Sequence, residues 1–223
     1  MDDTCAPLSA GDPTDGALLA RLQGGDGSAL GDLIERHQAA LLRHARALVG
    51  DDGSHEDVVQ ETFLKLLERP PVLPEGVRGR ADAERAHLSS WLHKVTRNGC
   101  MDTLRSQKRR RRREEEVAAP EVAQRSHSGG AELVEERDTR AAVERGLARL
   151  PQDQREVLVL RLLSESSYKE IAEITGKKIG TVGWLISEGL HALAGHLAPL
   201  IEAPLMQAQR STQPLPRPGE ARS

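Results

Sequence analysis

Hydrophobic residues recur at helical spacing through most of the chain, and glycine-rich or polar breaks divide them into segments. In the first half of the chain, the pattern begins near Asp15 and predicts helices over residues 17–23, 28–49, 54–68 and 85–113. Ser54, followed three residues later by Asp57, is predicted to cap the third helix, and Pro70 ends it. Residues 69–85 are predicted to form a loop.

The helical pattern stops after residue 113 and returns near residue 138. The intervening segment is rich in Glu, Ala, Ser and Gly, a composition typical of a flexible tether. From residue 138 to about 197 the pattern predicts four helices, separated by Pro151, by the serines at 164–167 and by Gly176. The remaining residues, 198–223, contain five prolines and are predicted to be disordered.

We therefore predict an all-α protein with two small helical domains joined by a flexible linker. Aromatic residues make up only 2% of the 223 residues, which favours helices over sheets. The predicted division is a disordered N-terminus, a first domain, a linker, a second domain and a disordered tail, at residues 1–13, 14–112, 113–136, 137–197 and 198–223.

Charge and cysteine content exclude several classes of protein. The net charge of −3 hides a run of six cations at 108–113, followed at once by three glutamates. The two cysteines, Cys5 and Cys100, cannot form a disulfide framework or a four-cysteine zinc site, so we expect neither a metal nor another cofactor. The acidic N-terminus and the absence of a long apolar run predict a soluble, cytoplasmic protein without membrane insertion.

The helix predicted at 54–68 separates into two faces on a helical wheel. Its buried face is predicted to contain Val58, Val59, Phe63, Leu66 and Leu67. The opposite face forms an acidic ridge with one apolar residue and contains Asp57, Gln60, Glu61, Leu64 and Glu68. Such a ridge is either an ordinary solvated face or a partner-binding surface.

The helix that follows becomes progressively more basic along its length. Leu88, Trp91, Leu92 and Val95 share its apolar face, and a second stripe contains Lys94, Arg97, Met101, Arg105 and Lys108. A basic stripe of this width is typical of a helix that follows phosphates or lies over bases. A solvated face or an acidic-lipid-binding face would give the same pattern.

Residues 167–190 fit a helix-turn-helix motif. Ala172 lies where the helices approach each other, Gly176 permits the turn, and Val182 returns to the core with Ile171. On the second helix the wheel places Ile179, Val182, Ile186, Leu190 and Leu193 inward and Thr181, Trp184, Leu185, Glu188 and His191 outward. Lys177 and Lys178, at the turn, are predicted phosphate contacts. A chance match in an Ala- and Leu-rich chain is the alternative.

In this order and spacing, the segments 56–68, 91–105 and 150–182 resemble the extracytoplasmic-function sigma factors of the sigma-70 family, which retain conserved regions 2 and 4. The resemblance covers residues 14–112 and 137–197. It implies that the chain binds core RNA polymerase, directs it to promoters and helps melt them, without covalent chemistry. An anti-sigma factor is a further partner that the resemblance allows.

The resemblance also implies a function for each surface. The acidic ridge would dock on the clamp helices of the polymerase beta-prime subunit. Lys94, Arg97, Asn98, Met101, Arg105 and Lys108 would contact the minus-10 element, with Asp102 orienting the cations. The helix-turn-helix would read the minus-35 element through Lys177, Lys178, Thr181, Trp184, Glu188 and His191, while it packs against the flap of the beta subunit.

Two features depart from the family pattern. The stretch from Phe63 to Trp91 is longer than the family usually has, and the recognition helix has Gly183, Leu185 and Glu188 where cations are common. Two other classes of protein are alternatives. A DNA-binding regulator would explain only the helix-turn-helix, and an enzyme lacks support because no catalytic triad, paired-His metal motif or phosphate loop stands out.

Overall fold

Eight helices make up the part of the chain that the computed structural model describes, which is residues 12–50, 53–117 and 136–211. They are α1 (Asp15–Gln23), α2 (Ser28–Val49), α3 (Ser54–Glu68), α4 (Ala81–Val117), α5 (Glu136–Ala148), α6 (Gln152–Leu162), α7 (Tyr168–Thr175) and α8 (Ile179–Ser211). No strand occurs in these three ranges, and the all-α prediction is confirmed. The predicted linker and both predicted disordered ends lie largely outside the described residues.

Helices α1 to α4 form the first domain, with α2 packed against the other three. Leucine dominates its core, as expected for amphipathic helices with few aromatic residues. The fully buried side chains include Leu18, Leu33, Leu41, Leu66, Leu88 and Leu92. None of the described helices is long and apolar enough to span a bilayer.

Helices α3 and α4 approach each other closely because a glycine lies at their contact. A Cβ atom built on Gly99 would lie 3.0 Å from Cγ1 of Val58. Nearby, the buried Thr62 hydroxyl donates to the Val58 carbonyl at 2.9 Å and lies 3.1 Å from the Thr96 hydroxyl. This contact fixes the rotation of α3, so that its acidic face points away from the core.

A buried carboxylate joins α1 to α2. Asp15 accepts hydrogen bonds from Arg36 at 2.9 Å and from His37 Nε2 at 2.8 Å, and its side chain is 1% exposed. Burial opposes ionisation of Asp15, but hydrogen bonds and charge from His37 and Arg36 outweigh it and hold the pKa of the carboxyl below its usual value.

Helices α5 to α8 form the second domain, whose core includes Leu158, Ile171 and Val182. The α7 helix begins with a capping box, in which Ser167 and Glu170 each bond the other's backbone N–H, at 3.3 Å and 2.6 Å. Gly176 ends α7 with φ of 71°, a left-handed conformation that glycine adopts without strain. The predicted helix-turn-helix is therefore formed by α7 and α8.

Three predicted helix boundaries and one predicted cap were wrong. The N-cap of α3 is Gly53, not Ser54, and Ser54 begins the helix itself. Helix α4 begins at Ala81 because the buried Glu84 accepts hydrogen bonds from the backbone of Gly79 and Gly16, at 2.7 Å and 3.2 Å, which fixes its first turn.

The other end of α4 and the end of α8 also run past their predicted limits. Helix α4 continues to Val117, beyond the predicted domain end at 112, and α8 continues to Ser211, into the predicted tail. Glutamate, a good helix former, follows the basic run and favours the extension of α4. Leu, Met, Gln and Ala predominate at 200–209 and favour the extension of α8, but they do not explain Pro199 and Pro204 within it.

We predict that Asp15→Asn lowers the free energy of unfolding by about 3 kcal/mol at neutral pH, because it removes the buried anion that pairs with Arg36 and with the buried His37. The folded-state pKa of Asp15 is depressed, so its contribution is present above the unfolded-state value and is lost as pH falls through the folded-state value. Urea denaturation between neutral and acidic pH measures this difference.

The matched control for this experiment is Asp82→Asn, which changes an exposed carboxylate in the first turn of α4. The difference in free energy of unfolding between Asp15→Asn and wild type should become smaller at acidic pH. Equal stability of the two proteins at neutral pH would contradict the prediction.

Candidate nucleic-acid and polymerase interface

The acidic ridge on α3 is exposed throughout. Asp57, Gln60, Glu61, Leu64 and Glu68 all face solvent, as the wheel predicted, and Lys65 pairs with Glu61 at 3.5 Å. The placement of Leu67 was wrong, because it is 48% exposed and buried Thr62 and His55 share the inner face instead. Leu67 therefore joins Leu64 on the surface and gives the ridge two apolar residues.

Most side chains of the basic stripe on α4 lie outside the core of the first domain. Lys94, Asn98, Arg105 and Lys108 are exposed, and Met101 is half-buried. Asp102 accepts a hydrogen bond from Arg105 Nη1 at 2.7 Å, and both side chains are exposed. The exposed cations thus remain able to meet an anionic partner along one side of the helix.

Arginines beyond the predicted stripe extend this surface. Arg109 and Arg112 line a shallow open groove together with Arg105 and Lys108. These four residues lie at helical spacing on one side of α4. The KRRRRR run at 108–113 is the sequence feature that indicates this surface. Three glutamates follow it in the sequence and could have paired with it, but residues 108–113 are all exposed.

Arg97 differs from the rest of the stripe. Its Nε donates to Oε1 of Glu156 on α6 at 2.7 Å, and its side chain is only 21% exposed. The two residues belong to different domains. Helix α6 packs against α2 and α7 packs against α4, so the second domain covers the part of the first domain that contains Arg97.

Two histidines complete this polar cluster between the domains. His44 Nε2 lies 3.6 Å from Glu156 Oε1, and His44 Nδ1 lies 3.0 Å from His93 Nδ1. One ring nitrogen of the pair must donate and the other accept. Burial, and next the adjacent His44, hold the pKa of His93 well below its usual value.

Glu156 remains an anion despite its complete burial. Burial alone would raise its pKa, but His44 and Arg97 outweigh that effect and lower it. Sequence reasoning missed this residue, because a glutamate in a QDQRE segment at a helix start is typical of a solvated face. In the described ranges, no group of three or more His, Cys, Asp or Glu side chains is arranged to hold a metal ion.

The predicted minus-35 residues lie on one exposed surface around the turn and the start of α8. Lys178, Thr181, Trp184, Glu188 and His191 are exposed, and Trp184 is 59% exposed. Lys177 instead pairs with Asp153 at 2.9 Å, which reduces its availability for phosphate. This surface presents an aromatic ring and a carboxylate beside few free cations.

The buried face of α8 is rotated by about 40° from the predicted one, on a helical wheel with 100° per residue. Leu185, predicted outward, is buried, whereas Ile179 and Leu190, predicted inward, are 54% and 43% exposed. The cause is Gly189, where an added Cβ would lie 3.0 Å from Cδ1 of Leu158. Close approach of α6 at this glycine moves the centre of the buried stripe toward Leu185.

Comparison with known proteins matches both domains to the same family. The family model for Sigma-70 region 2 matches residues 33–110, and that for Sigma-70, region 4 matches residues 140–193. The chain is 32% identical over 196 residues to the ECF RNA polymerase sigma-E factor of Salmonella typhimurium, covering 84% of this chain and 96% of that protein. It is 31% identical to the ECF RNA polymerase sigma factor SigM of Mycobacterium tuberculosis, over 76% of this chain and 77% of that protein.

A solved structure shares the fold. It is the sigma factor RpoE in complex with the anti-sigma factor NepR from Bartonella quintana, with a TM-score of 0.54 and 25% identity. The match covers 75% of this chain and 97% of that chain. The two-domain helical architecture is therefore common to this chain and that structure.

We predict that Leu185→Arg destabilises the second domain by more than about 2 kcal/mol, because it places an unpaired charge in the core. Gly183→Lys and Glu188→Arg should leave stability within about half a kcal/mol of wild type. A Cβ at position 183 meets only Tyr168, at 3.7 Å, and Glu188 is exposed. Thermal denaturation monitored by circular dichroism distinguishes the three variants. Equal melting temperatures for all three would refute the burial of Leu185.

Proposed function

Because this chain belongs to the extracytoplasmic-function group of the sigma-70 family, directing RNA polymerase in transcription initiation, we propose how its surfaces divide that work. Helix α3 docks on core polymerase, α4 engages the minus-10 element, and the helix-turn-helix of α7 and α8 meets the minus-35 element. The single observation that carries the proposal is the exposure, on one domain, of an acidic ridge on α3 and a basic stripe on α4.

The polymerase contact is assigned to Asp57, Gln60, Glu61, Leu64 and Glu68, with the clamp helices of the beta-prime subunit as partner. Leu64 and Leu67 are 54% and 48% exposed beside the acidic residues. Apolar contact supplies affinity, and surrounding charge steers encounter and fixes register. The ridge has both components on a rigid helix, whose position is fixed by the glycine contact with α4.

The minus-10 contact is assigned to Lys94, Arg97, Asn98, Met101, Arg105 and Lys108. The cations position the helix on phosphates, and Asn98 and Met101 face bases. Capture of an extruded base offsets the unpairing cost of a few kcal/mol, so differential binding to single-stranded DNA drives melting. This mechanism requires no catalytic group, and we propose that the protein is not an enzyme.

The minus-35 contact is assigned to Lys177, Lys178, Thr181, Trp184, Glu188 and His191, with the beta flap against the same domain. Glu188 repels phosphate but can accept a hydrogen bond from a cytosine amino group, and Trp184 can cover a thymine methyl group. Since Lys177 already pairs with Asp153, phosphate anchoring is weak. Most promoter discrimination then comes from the minus-10 domain.

Membership of the sigma-70 family also suggests the cell compartment of this chain and a regulatory partner. A factor that acts on RNA polymerase and bacterial promoters works in the cytoplasm. An anti-sigma factor is proposed as a further partner, on the likeness to a sigma factor solved in such a complex.

The direct test is transcription in vitro with core polymerase, this chain and a library of genomic promoter fragments. We expect transcripts that start downstream of a shared minus-10 sequence and that require the chain. Core polymerase binding without promoter-specific transcripts would refute the proposal, and so would DNA binding that is independent of polymerase.

We predict that Asp57→Lys with Glu61→Lys weakens core-polymerase binding by at least about tenfold, since like charge then faces the polymerase contact. Both side chains are exposed, so helicity should not change. Fluorescence anisotropy of labelled chain titrated with core enzyme measures the effect. Glu35→Lys with Glu75→Lys, an equal charge change at exposed sites outside the ridge, is the control. Equal losses of core-polymerase affinity in both double variants would show that the effect comes from net charge and not from the ridge.

We also predict that alanine at Lys94, Arg105 and Lys108 flattens the salt dependence of promoter binding by holoenzyme. Each lost phosphate contact should reduce the slope of log affinity against log salt by roughly 0.7 to 0.9. Alanine at Arg69 and Arg80, which are exposed in the same domain but off α4, should leave the slope unchanged. An unaltered slope in the triple variant would remove these cations from the DNA contact.

A further inference from the structure

The arginine-rich end of α4 is a strongly charged surface that the proposed contacts use only in part. Its shallow groove is lined by Arg105, Lys108, Arg109 and Arg112, all of them exposed. Arg105 and Lys108 belong to the basic stripe, and Arg109 and Arg112 extend it. Like charges three and four residues apart repel one another and disfavour the helix that carries them. The groove therefore favours a partner with closely spaced negative charges.

This groove continues the basic stripe in a straight line along α4. On a wheel with 100° per residue, a sector of about 60° contains Lys94, Asn98, Arg105, Arg109 and Arg112. Arg110 and Arg111 lie on the other side of the helix, each about 130° from the middle of that sector. One anionic ligand that follows the stripe can therefore reach Arg109 and Arg112, but not the two arginines between them.

The rise of the helix gives the distance that such a ligand must span. At 1.5 Å per residue, Arg109 and Arg112 lie about 17 Å and 21 Å beyond Asn98 along the axis of α4. That distance corresponds to about five or six base pairs of DNA. A partner that already contacts Asn98 at the minus-10 element thus reaches the groove through the DNA next to that element.

The order of the domains along the chain indicates which side of the minus-10 element this is. The chain leads from the C-terminal end of α4 to α5–α8, the domain proposed to meet the minus-35 element upstream. The groove at this end of α4 therefore lies on the upstream side. DNA there remains paired when the minus-10 element melts, and paired DNA carries one negative charge per about 1.7 Å of its axis.

We propose that Arg109 and Arg112 bind phosphates of the double-stranded DNA immediately upstream of the minus-10 element. The inference rests on the proposed function of α4, and it adds a second substrate to the same helix. The middle of α4 contacts the melted strand, and its arginine-rich end contacts the adjoining duplex. Phosphate contacts carry no sequence information but fix register. Arg109 and Arg112 therefore position α4 at the junction between paired and melted DNA.

The test compares two templates, built on a promoter that the chain transcribes, for binding by core polymerase with the full-length chain. The first joins a single-stranded minus-10 element to about ten base pairs of upstream duplex, roughly one turn, which is too short to include the minus-35 element. The second begins at the minus-10 element. Fluorescence anisotropy at several salt concentrations gives the slope of log affinity against log salt.

The variant Arg109→Ala with Arg112→Ala should reduce this slope by roughly 1.8 on the first template, since each contact with a paired phosphate contributes about 0.9. Its slope on the second template should equal that of the parent chain. Arg109→Lys with Arg112→Lys should restore the parental slope, because counterion release depends on charge. The matched control is Arg110→Ala with Arg111→Ala, an equal charge change on the other side of α4, which should match the parent on both templates.

Several results would overturn the proposal. An unchanged slope on the first template would remove Arg109 and Arg112 from the duplex, and an equal reduction on both templates would place them on the melted strand. Weaker binding of the alanine variant to core polymerase without DNA would make them a polymerase contact instead. An equal reduction in the control would attribute the effect to net charge. If the parent chain with core polymerase binds neither template, the proposed function itself is refuted.

Discussion

Helix α4 has to satisfy two surfaces at once, and the rest of the structure depends on this constraint. Its apolar side, with Leu88 and Leu92 fully buried, holds the first domain together against α2 and α3. Its other side keeps Lys94, Asn98 and Arg105 in solvent. Because one rigid helix supplies both sides, packing of the core determines the direction in which the basic stripe points.

The same helix also connects the two domains through the ion pair between Arg97 and Glu156. Glu156 enters a region lined by Arg97, His44 and His93, and its ionised form is stabilised there against the cost of burial. A buried ion pair contributes little net stability, but removal of one partner is costly. Such a contact favours one specific arrangement of the domains over others.

Local signals predicted the helices well where glycine or proline marked the breaks. The bounds of α2 and α3 match the prediction, since Gly50 ends α2 with a positive φ and Pro70 follows α3. The exposed ridge on α3 was also predicted, because burial of Val58 and Phe63 fixes the rotation of a short amphipathic helix.

Contacts between distant segments account for what the sequence could not predict. The inner face of α8 depends on Gly189 meeting Leu158 of α6, a packing detail that a helical wheel does not contain. The burial of Glu156 depends on Arg97, 59 residues away in sequence, and on the approach of a second domain. Local periodicity specifies which residues share a face, but only tertiary packing decides what covers that face.

The central claim is that α4 meets the minus-10 element of promoter DNA. A photoreactive amino acid in place of Asn98, which is exposed on the basic stripe, tests it in the complex of holoenzyme and promoter. The account predicts cross-links to the non-template strand of the melted minus-10 region, dependent on core polymerase. Cross-links to polymerase alone, with none to DNA, would contradict it.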